Sequence, residues 1–281
     1  MSQTLLAVLY GLGGAVGWGV SNFFAAKASK DMNPLAAVFM SQTLLFIVMV
    51  LVAYLLGSTF VVSTQLLTIL ATSYLLFTLG LLASYRAYVL GPVSLTSPIA
   101  GAFSLIVVIN SVVFLGEVLS LFQWIGIGLL FVGLFLVLSG TEQNSHGSTR
   151  GIALAFMALL FLGFGLTGFV YAISEIGWMM TIILGYFFTA FWSGLIILVK
   201  QQTTGLSLSK FTLALALFQL IGTISVSYGI EKSVAAVIVP ISSLSPLVTS
   251  LLGILLLKET IKRRHALSIA MIVISLVLLS L

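Results

Sequence analysis

Residues 163–168 read GFGLTG, the glycine spacing that cradles a dinucleotide pyrophosphate when it follows a strand and opens a helix. Here it sits inside an apolar run from Gly151 to Ser174, and the related stretch GWGVSN (17–22) ends in Asn22 rather than glycine. These glycines read as points of close helix approach, not as a nucleotide cradle. Other chemistry is equally hard to assemble. With no cysteine there is no disulfide and no thiolate metal site. The two histidines, His146 and His265, lie far apart at loop or helix-end positions and read as solvated or interfacial residues. Catalysis needs a converging acid, base, nucleophile or metal set, and none is visible. The expectation is a non-enzyme with no cofactor or metal. A +5 net charge without a basic, aromatic-interleaved patch gives no nucleic-acid partner either.

What remains is binding by polar side chains set in apolar surroundings. Gln219, Thr223, Ser227 and Glu231 recur every four residues, with Tyr228 beside them, and are expected to share a helix face. Ser242, Pro246, Thr249 and Gly253 form a second stripe with Ser245 alongside, matched earlier by Ser97, Gly101, Ser104 and Ser111. Trp18 and Asn22 lie one turn apart, offering an aromatic face and an amide that suit a partly apolar, neutral solute. Tyr85, Arg86 and Tyr88 cluster near the end of another run, where Arg86 either snorkels to headgroups or holds a carboxylate or phosphate. With Thr167, the expected substrate-binding set is Trp18, Asn22, Tyr85, Arg86, Tyr88, Ser104, Thr167, Gln219, Thr223, Ser227, Tyr228, Ser242 and Ser245. Each has a structural reading too, as an interhelical seam or a close-contact small residue.

The elements that would position these residues follow from composition. Of 281 residues, 60% are hydrophobic and 6% charged, and the mean hydropathy is +1.28. A water-facing globule needs about 25% charged residues, so the chain belongs in a bilayer. Charges punctuate ten apolar runs, at about 4–26, 35–56, 66–89, 93–115, 121–139, 151–174, 178–199, 211–230, 234–257 and 264–280. The N-terminal run lacks the basic flank of a signal peptide and is expected to be the first membrane helix. The polar stretch 141–150 separates an N-terminal half (1–140) from a C-terminal half (151–281).

The halves repeat. A shift of 142 residues places Pro98 on Pro240 and Glu117 on Glu259. SYRA (84–87) matches SYGI (227–230), and GWGVSNF (17–23) matches GFGLTGF (163–169). Five spans per half force the second repeat to insert upside down, the layout of carriers whose substrate site lies near the midplane. Pro98, Pro240 and Pro246 would free backbone carbonyls there.

Ten spans, the Trp-Gly pair at 18–19, LGE at 115–117 and the glycine-spaced LFQWIGIGLLFVGLFLVLS (121–139) together resemble the drug/metabolite transporter superfamily, in its EamA-type branch. The resemblance covers nearly the whole chain. It implies a carrier of amino acids, metabolites, sugars or drugs across cytoplasmic membranes, often outward. The second half reads LKE (257–259) in place of LGE, and the first span lacks the embedded glutamate of the four-helix multidrug members.

The expected function is therefore alternating-access transport of a small, amino-acid-like metabolite by efflux or exchange, the alternatives being a sugar or metabolite uptake facilitator and, from other classes, a membrane scaffold or an intramembrane enzyme. A monomer is expected. No acid sits at a span's centre, which favours a facilitator or exchanger, with Glu231 the candidate for any proton coupling. Ten of the eleven bases fall on one side of the ten-span layout and only Lys232 on the other. The positive-inside rule places both termini outside, although some relatives are drawn with cytoplasmic termini.

Overall fold

In a computed structural model of the chain, the described residues are 3–57, 62–103, 105–106, 109–110, 119–139, 146–201, 208–232, 238, 241–242, 244–259 and 263–279. Every regular element among them is a helix, as lipid demands: with no water to bond, each backbone N–H and C=O must find its partner within its own segment. The helices are α1 (Gln3–Asp31), α2 (Pro34–Leu55), α3 (Thr64–Leu90), α4 (Val93–Gly101) and α5 (Leu121–Ser139). The run His146–Val199 is broken at Gly177, whose φ of 75° is non-helical, giving α6 (146–176) and α7 (178–199). Then come α8 (Lys210–Lys232), α9 (Ser245–Leu256) and α10 (Arg263–Leu279). Six of these are long and apolar enough to cross a bilayer, and shorter apolar helices accompany them. Helix α6 starts at His146, inside the polar stretch between the halves.

Local sequence sets the boundaries. The Asn33 side chain accepts from Leu35 N–H, and Pro34 takes the first helical position of α2, where a missing N–H costs nothing. Ser63 caps α3 through Leu66 N–H. Ser120 and Gln123 form a reciprocal capping box at the start of α5, each side chain accepting from the other's backbone N–H. The expected spans 93–115 and 234–257 are shorter as described helices. Beyond Pro98, α4 tightens into i→i+3 bonds from Phe103, Leu105 and Ile106, and α9 proper starts with Pro246 in its first turn. Ser104, residues 111–118 (Ser111 and Glu117 among them) and Pro240 lie outside the described residues.

The halves pair helix by helix. Ser21 Oγ donates to Leu215 O and Tyr10 meets Tyr228, so α1 runs antiparallel to α8. Gly151 abuts Gly91 and Gly165 abuts Phe77, so α6 runs antiparallel to α3. The C-terminal ends of α1 and α3 share one cluster, hence lie at the same end and run parallel. It follows that α6, the second-half counterpart of α1, runs opposite to it. The two five-helix repeats are inverted. The self-paired counterparts complete the pattern: α2 on α7, α4 on α9 and α5 on α10.

Small residues permit these crossings. A Cβ on Gly17 would fall 2.5 Å from Gly222 N and 2.6 Å from its Cα, so the α1 and α8 backbones touch where glycine faces glycine. Gly17→Leu is expected to destabilise the protein by about 1–3 kcal/mol through overpacking, read as a lower melting temperature in detergent. Gly128→Leu, where a Cβ would meet nothing within 4 Å, is the control and should leave the melt unchanged.

Candidate functional site

Between the α1/α8 pair and the α3/α6 pair lies a cavity of about 420 Å³. Its wall takes residues from both repeats: Trp18, Ser21 and Asn22 on α1, Gln42 on α2, Tyr74, Phe77, Ser84, Tyr85 and Tyr88 on α3, and Ser97 and Gly101 on α4. The second repeat adds Leu162, Leu166 and Phe169, then Gly185, Tyr186 and Thr189, then Gln219 and Thr223, and finally Ser242, Ser245 and Pro246. No Asp, Glu, Lys, Arg or His is among the described residues of this wall.

The polar groups are held across the repeat boundary. Trp18 Nε1 donates to Thr223 Oγ1 at 3.1 Å, and Gln42 Nε2 donates to Gln219 Oε1 at 3.2 Å. The indole packs against α8 because position 222 is glycine: a Cβ there would sit 2.6 Å from Trp18 Cδ1. Thr189 is satisfied locally through Gly185 O. Four wall atoms are not: Gln42 Oε1, Ser84 Oγ, Ser97 Oγ and Tyr186 OH are buried without a hydrogen-bond partner. Tyr186 stands beside Thr223, and Ser97 beside Tyr88, without closing a bond of ordinary geometry. An unpaired buried polar group costs about 1–3 kcal/mol, so the wall carries hydrogen-bonding capacity that the protein itself leaves unused.

The cavity is closed at one end. Ala25, Ala26 and Ala28 of α1, Tyr85 and Tyr88 of α3, Val93 of α4 and Leu215 of α8 form one hydrophobic cluster that bridges the two helix pairs. Lys27 Nζ rides 5.1 Å above the Phe23 ring and 5.3 Å above Phe211 at this end. The same end carries Lys30, Arg86, Arg150, Lys200, Lys210, Lys258, Arg263 and Arg264. At the opposite end Ala7 and Val226 form one cluster, and Leu66, Leu70, Tyr74 and Ala172 form another. Met49, Ala53 and Ile182 belong to a third, which joins α2 and α7 to Ala216 of α8 and takes in Phe169 of α6. No hydrophobic cluster among the described residues joins α1 to α3 there.

Eight residues of the sequence-derived set line the cavity: Trp18, Asn22, Tyr85, Tyr88, Gln219, Thr223, Ser242 and Ser245. The others lie elsewhere. Arg86 is exposed on the outer face of α3. Thr167 accepts from Asn110 Nδ2 at 2.8 Å and donates to Gly163 O, so it ties Asn110 to α6 away from the cavity. Ser227 is buried off the cavity, and Tyr228 packs edge-on against Tyr10 and Trp178. Glu231 is exposed beyond the last turn of the span and pairs with Lys232 at 2.7 Å. That carboxylate, by hydrogen bond and charge, holds the Lys232 ammonium above its ordinary value. The expected single face of α8 fails for a geometric reason. A four-residue step overshoots a turn by about 40°, so Gln219 and Glu231 differ by about 120°. Ser104 lies outside the described residues.

Sequence reasoning missed Gln42, Tyr74 and Tyr186. Gln42 is the one amide in α2 and 1% exposed, so its signal was a lone polar residue in an apolar helix. The tyrosines carried no comparable signal among so many aromatics.

The EamA-like transporter family model matches residues 5–139 and again 149–281, once per repeat. The chain belongs to the EamA-like transporter family. An uncharacterized transporter of Archaeoglobus fulgidus is 25% identical over 98% of each chain. An uncharacterized protein of Methanocaldococcus jannaschii is 35% identical over 89 residues, 31% of this chain and 65% of that one, so less than two thirds of that relative's length is spanned. A crystal structure described simply as that of a protein superposes over 97% of this chain and 96% of its own, with a TM-score of 0.66 at 16% identity, which speaks to the fold. As an EamA-family member, the chain is a multi-pass membrane transporter of small solutes.

The chain has no native cysteine, so single reporters can be placed at will. A cysteine replacing Asn22 or Ser245 is expected to react with a small hydrophilic thiol reagent through the open end. One replacing Ala28 or Ala37, both fully buried at the closed end, should react at least tenfold more slowly.

Proposed function

We propose that the chain is a secondary transporter that moves a small organic metabolite across the cytoplasmic membrane by alternating access between its two inverted repeats, working as a monomer. The observation that carries this reading is the unequal fate of equivalent residues. Tyr85 and Tyr228 correspond in the repeat alignment, yet Tyr85 is 2% exposed in the cluster that shuts one end. Tyr228 is only half-buried, and its ring packs edge-on against Tyr10 of α1 and Trp178 of α7. A twofold-related molecule that is closed at one end has a second, equally built state closed at the other.

The wall chemistry supports a cargo that is neutral or zwitterionic and has an aromatic or apolar part. The Trp18, Tyr74, Phe77 and Phe169 rings offer faces, and Asn22, Gln42 and Gln219 offer amides. Amino-acid-like solutes fit this description, whereas an ion of net charge would enter a wall without a counter-charge. Because no described wall residue is an acid, exchange or facilitated efflux is favoured over proton coupling. Under the positive-inside rule the closed, cation-rich end is cytoplasmic, so the cavity faces outward here with both termini outside.

The test is flux. Purified chain in proteoliposomes, offered a labelled panel of amino acids and sugars, is expected to show saturable exchange of one class. Trp18→Ala and Gln219→Ala should each cut it at least fivefold. Cargo addition should produce no alkalinisation, and none that depends on Glu231. A panel-wide absence of flux in folded protein would reject the reading in favour of a non-transporting membrane protein.

A further inference from the structure

We propose that Glu259 is the latch that holds the cation-rich end of the cavity shut, and that its release from α4 is a step of the transport cycle; this rests on the alternating-access reading above. Helix α4 begins without a side-chain cap, because its N-cap is Pro92. Glu259, from the other repeat, supplies the cap instead. Val93 N–H donates to Oε1 and Ser94 N–H to Oε2, both at 2.9 Å. One carboxylate thus takes two of the four donors that a helix start leaves open, at the positive end of the helix dipole.

The surroundings are shaped for this contact. After α9 ends at Leu256, Lys258 adopts a left-handed φ of 53°, and Glu259 N–H returns to Gly253 O at 3.4 Å. That turn aims the carboxylate back at α4. A Cβ on Gly253 would lie 2.9 Å from Glu259 Oε2 and 3.2 Å from Ser94 N, so only glycine leaves the slot open. Ser250 Oγ lies 2.9 Å from Ser94 O and 2.8 Å from Pro246 O, so its one O–H is shared between α4 and its own helix. Val93 and Leu257, the residues beside these bonds, both join the cluster that closes this end.

The start of α4 and the end of α9 therefore lie across the closed end, each from a different repeat. An opening there separates them, and the carboxylate must surrender both N–H groups when they part. A static cap would instead ride with α4 through the whole cycle.

Sided thiol accessibility separates the two and needs no knowledge of cargo. Ser97→Cys, on the cavity wall one turn inside α4, reports entry when an impermeant methanethiosulfonate is added to one face of sealed proteoliposomes. With Glu259 intact, labelling from the cation-rich side should be slow. Glu259→Ala should speed it at least fivefold from that side alone, Glu259→Asp should restore much of the native rate, and Glu259→Gln should fall between. Equal acceleration from both sides, or no change in folded protein, overturns the latch. Should Glu259→Ala fail to fold, Ser94→Cys with Ser250→Cys provides the converse test. Oxidation of that pair should stop flux and reduction restore it, whereas flux indifferent to oxidation overturns the proposal. A chain that carries cargo while its labelling ignores Glu259 sinks the latch alone; a folded chain that carries nothing sinks the transport reading instead.

Discussion

Lipid offers no hydrogen bonds, and that constraint organises this molecule. A continuous helix satisfies its own backbone, but a helix that begins or breaks within the assembly leaves donors or acceptors that only protein can meet. The start of α4 is such a place, and it is met by Glu259 from the opposite repeat. The hydroxyls follow the same rule. Thr78, Thr189 and Ser193 fold back on carbonyls four residues earlier, and Thr249 reaches Gly19 O on α1. Four buried atoms of the cavity wall lack such a partner, as do Ser29 Oγ, Thr43 Oγ1 and Ser94 Oγ away from it.

Contacts between repeats dominate those within them. Glycine or a small residue sits at each main crossing: Gly17 against Gly222, Gly165 against Phe77, Gly101 against Pro246. Dispersion contact at short range, rather than hydrophobic exclusion, joins helices in a membrane. The α1/α8 and α3/α6 pairs form two walls, and the cavity lies between them.

Much of this was legible in the sequence. Helix positions follow from hydropathy, because a span must be apolar along its whole length. Inversion follows from an odd number of spans per repeat. Trp18, Asn22, Gln219 and Thr223 could be picked out because a polar or bulky residue deep in an apolar run is costly without a purpose. The sequence was poorer where geometry decides. A four-residue spacing suggested that Ser227 and Glu231 share the face of Gln219, but the drift of the helix carries them away from the cavity. Gln42 stood alone in its helix, and no spacing rule could pair it with Gln219, 177 residues distant. Hydropathy draws 93–115 and 234–257 as even spans because it is blind to proline and to the i→i+3 tightening that their described parts show at Phe103, Leu105, Ile106, Leu244 and Leu247.

One small departure from symmetry has thermodynamic weight. In the first repeat the residue before the terminal glutamate is Gly116; in the second it is Lys258, held at a φ that glycine adopts freely and a side chain resists. Two identical halves would make the inward- and outward-facing forms isoenergetic, with neither preferred at rest. A torsional penalty borne by one half alone lifts that degeneracy where one form relieves it and the other does not. If the chain alternates as proposed, such a single-residue mismatch between its halves would bias the resting orientation without altering the surface that meets the cargo.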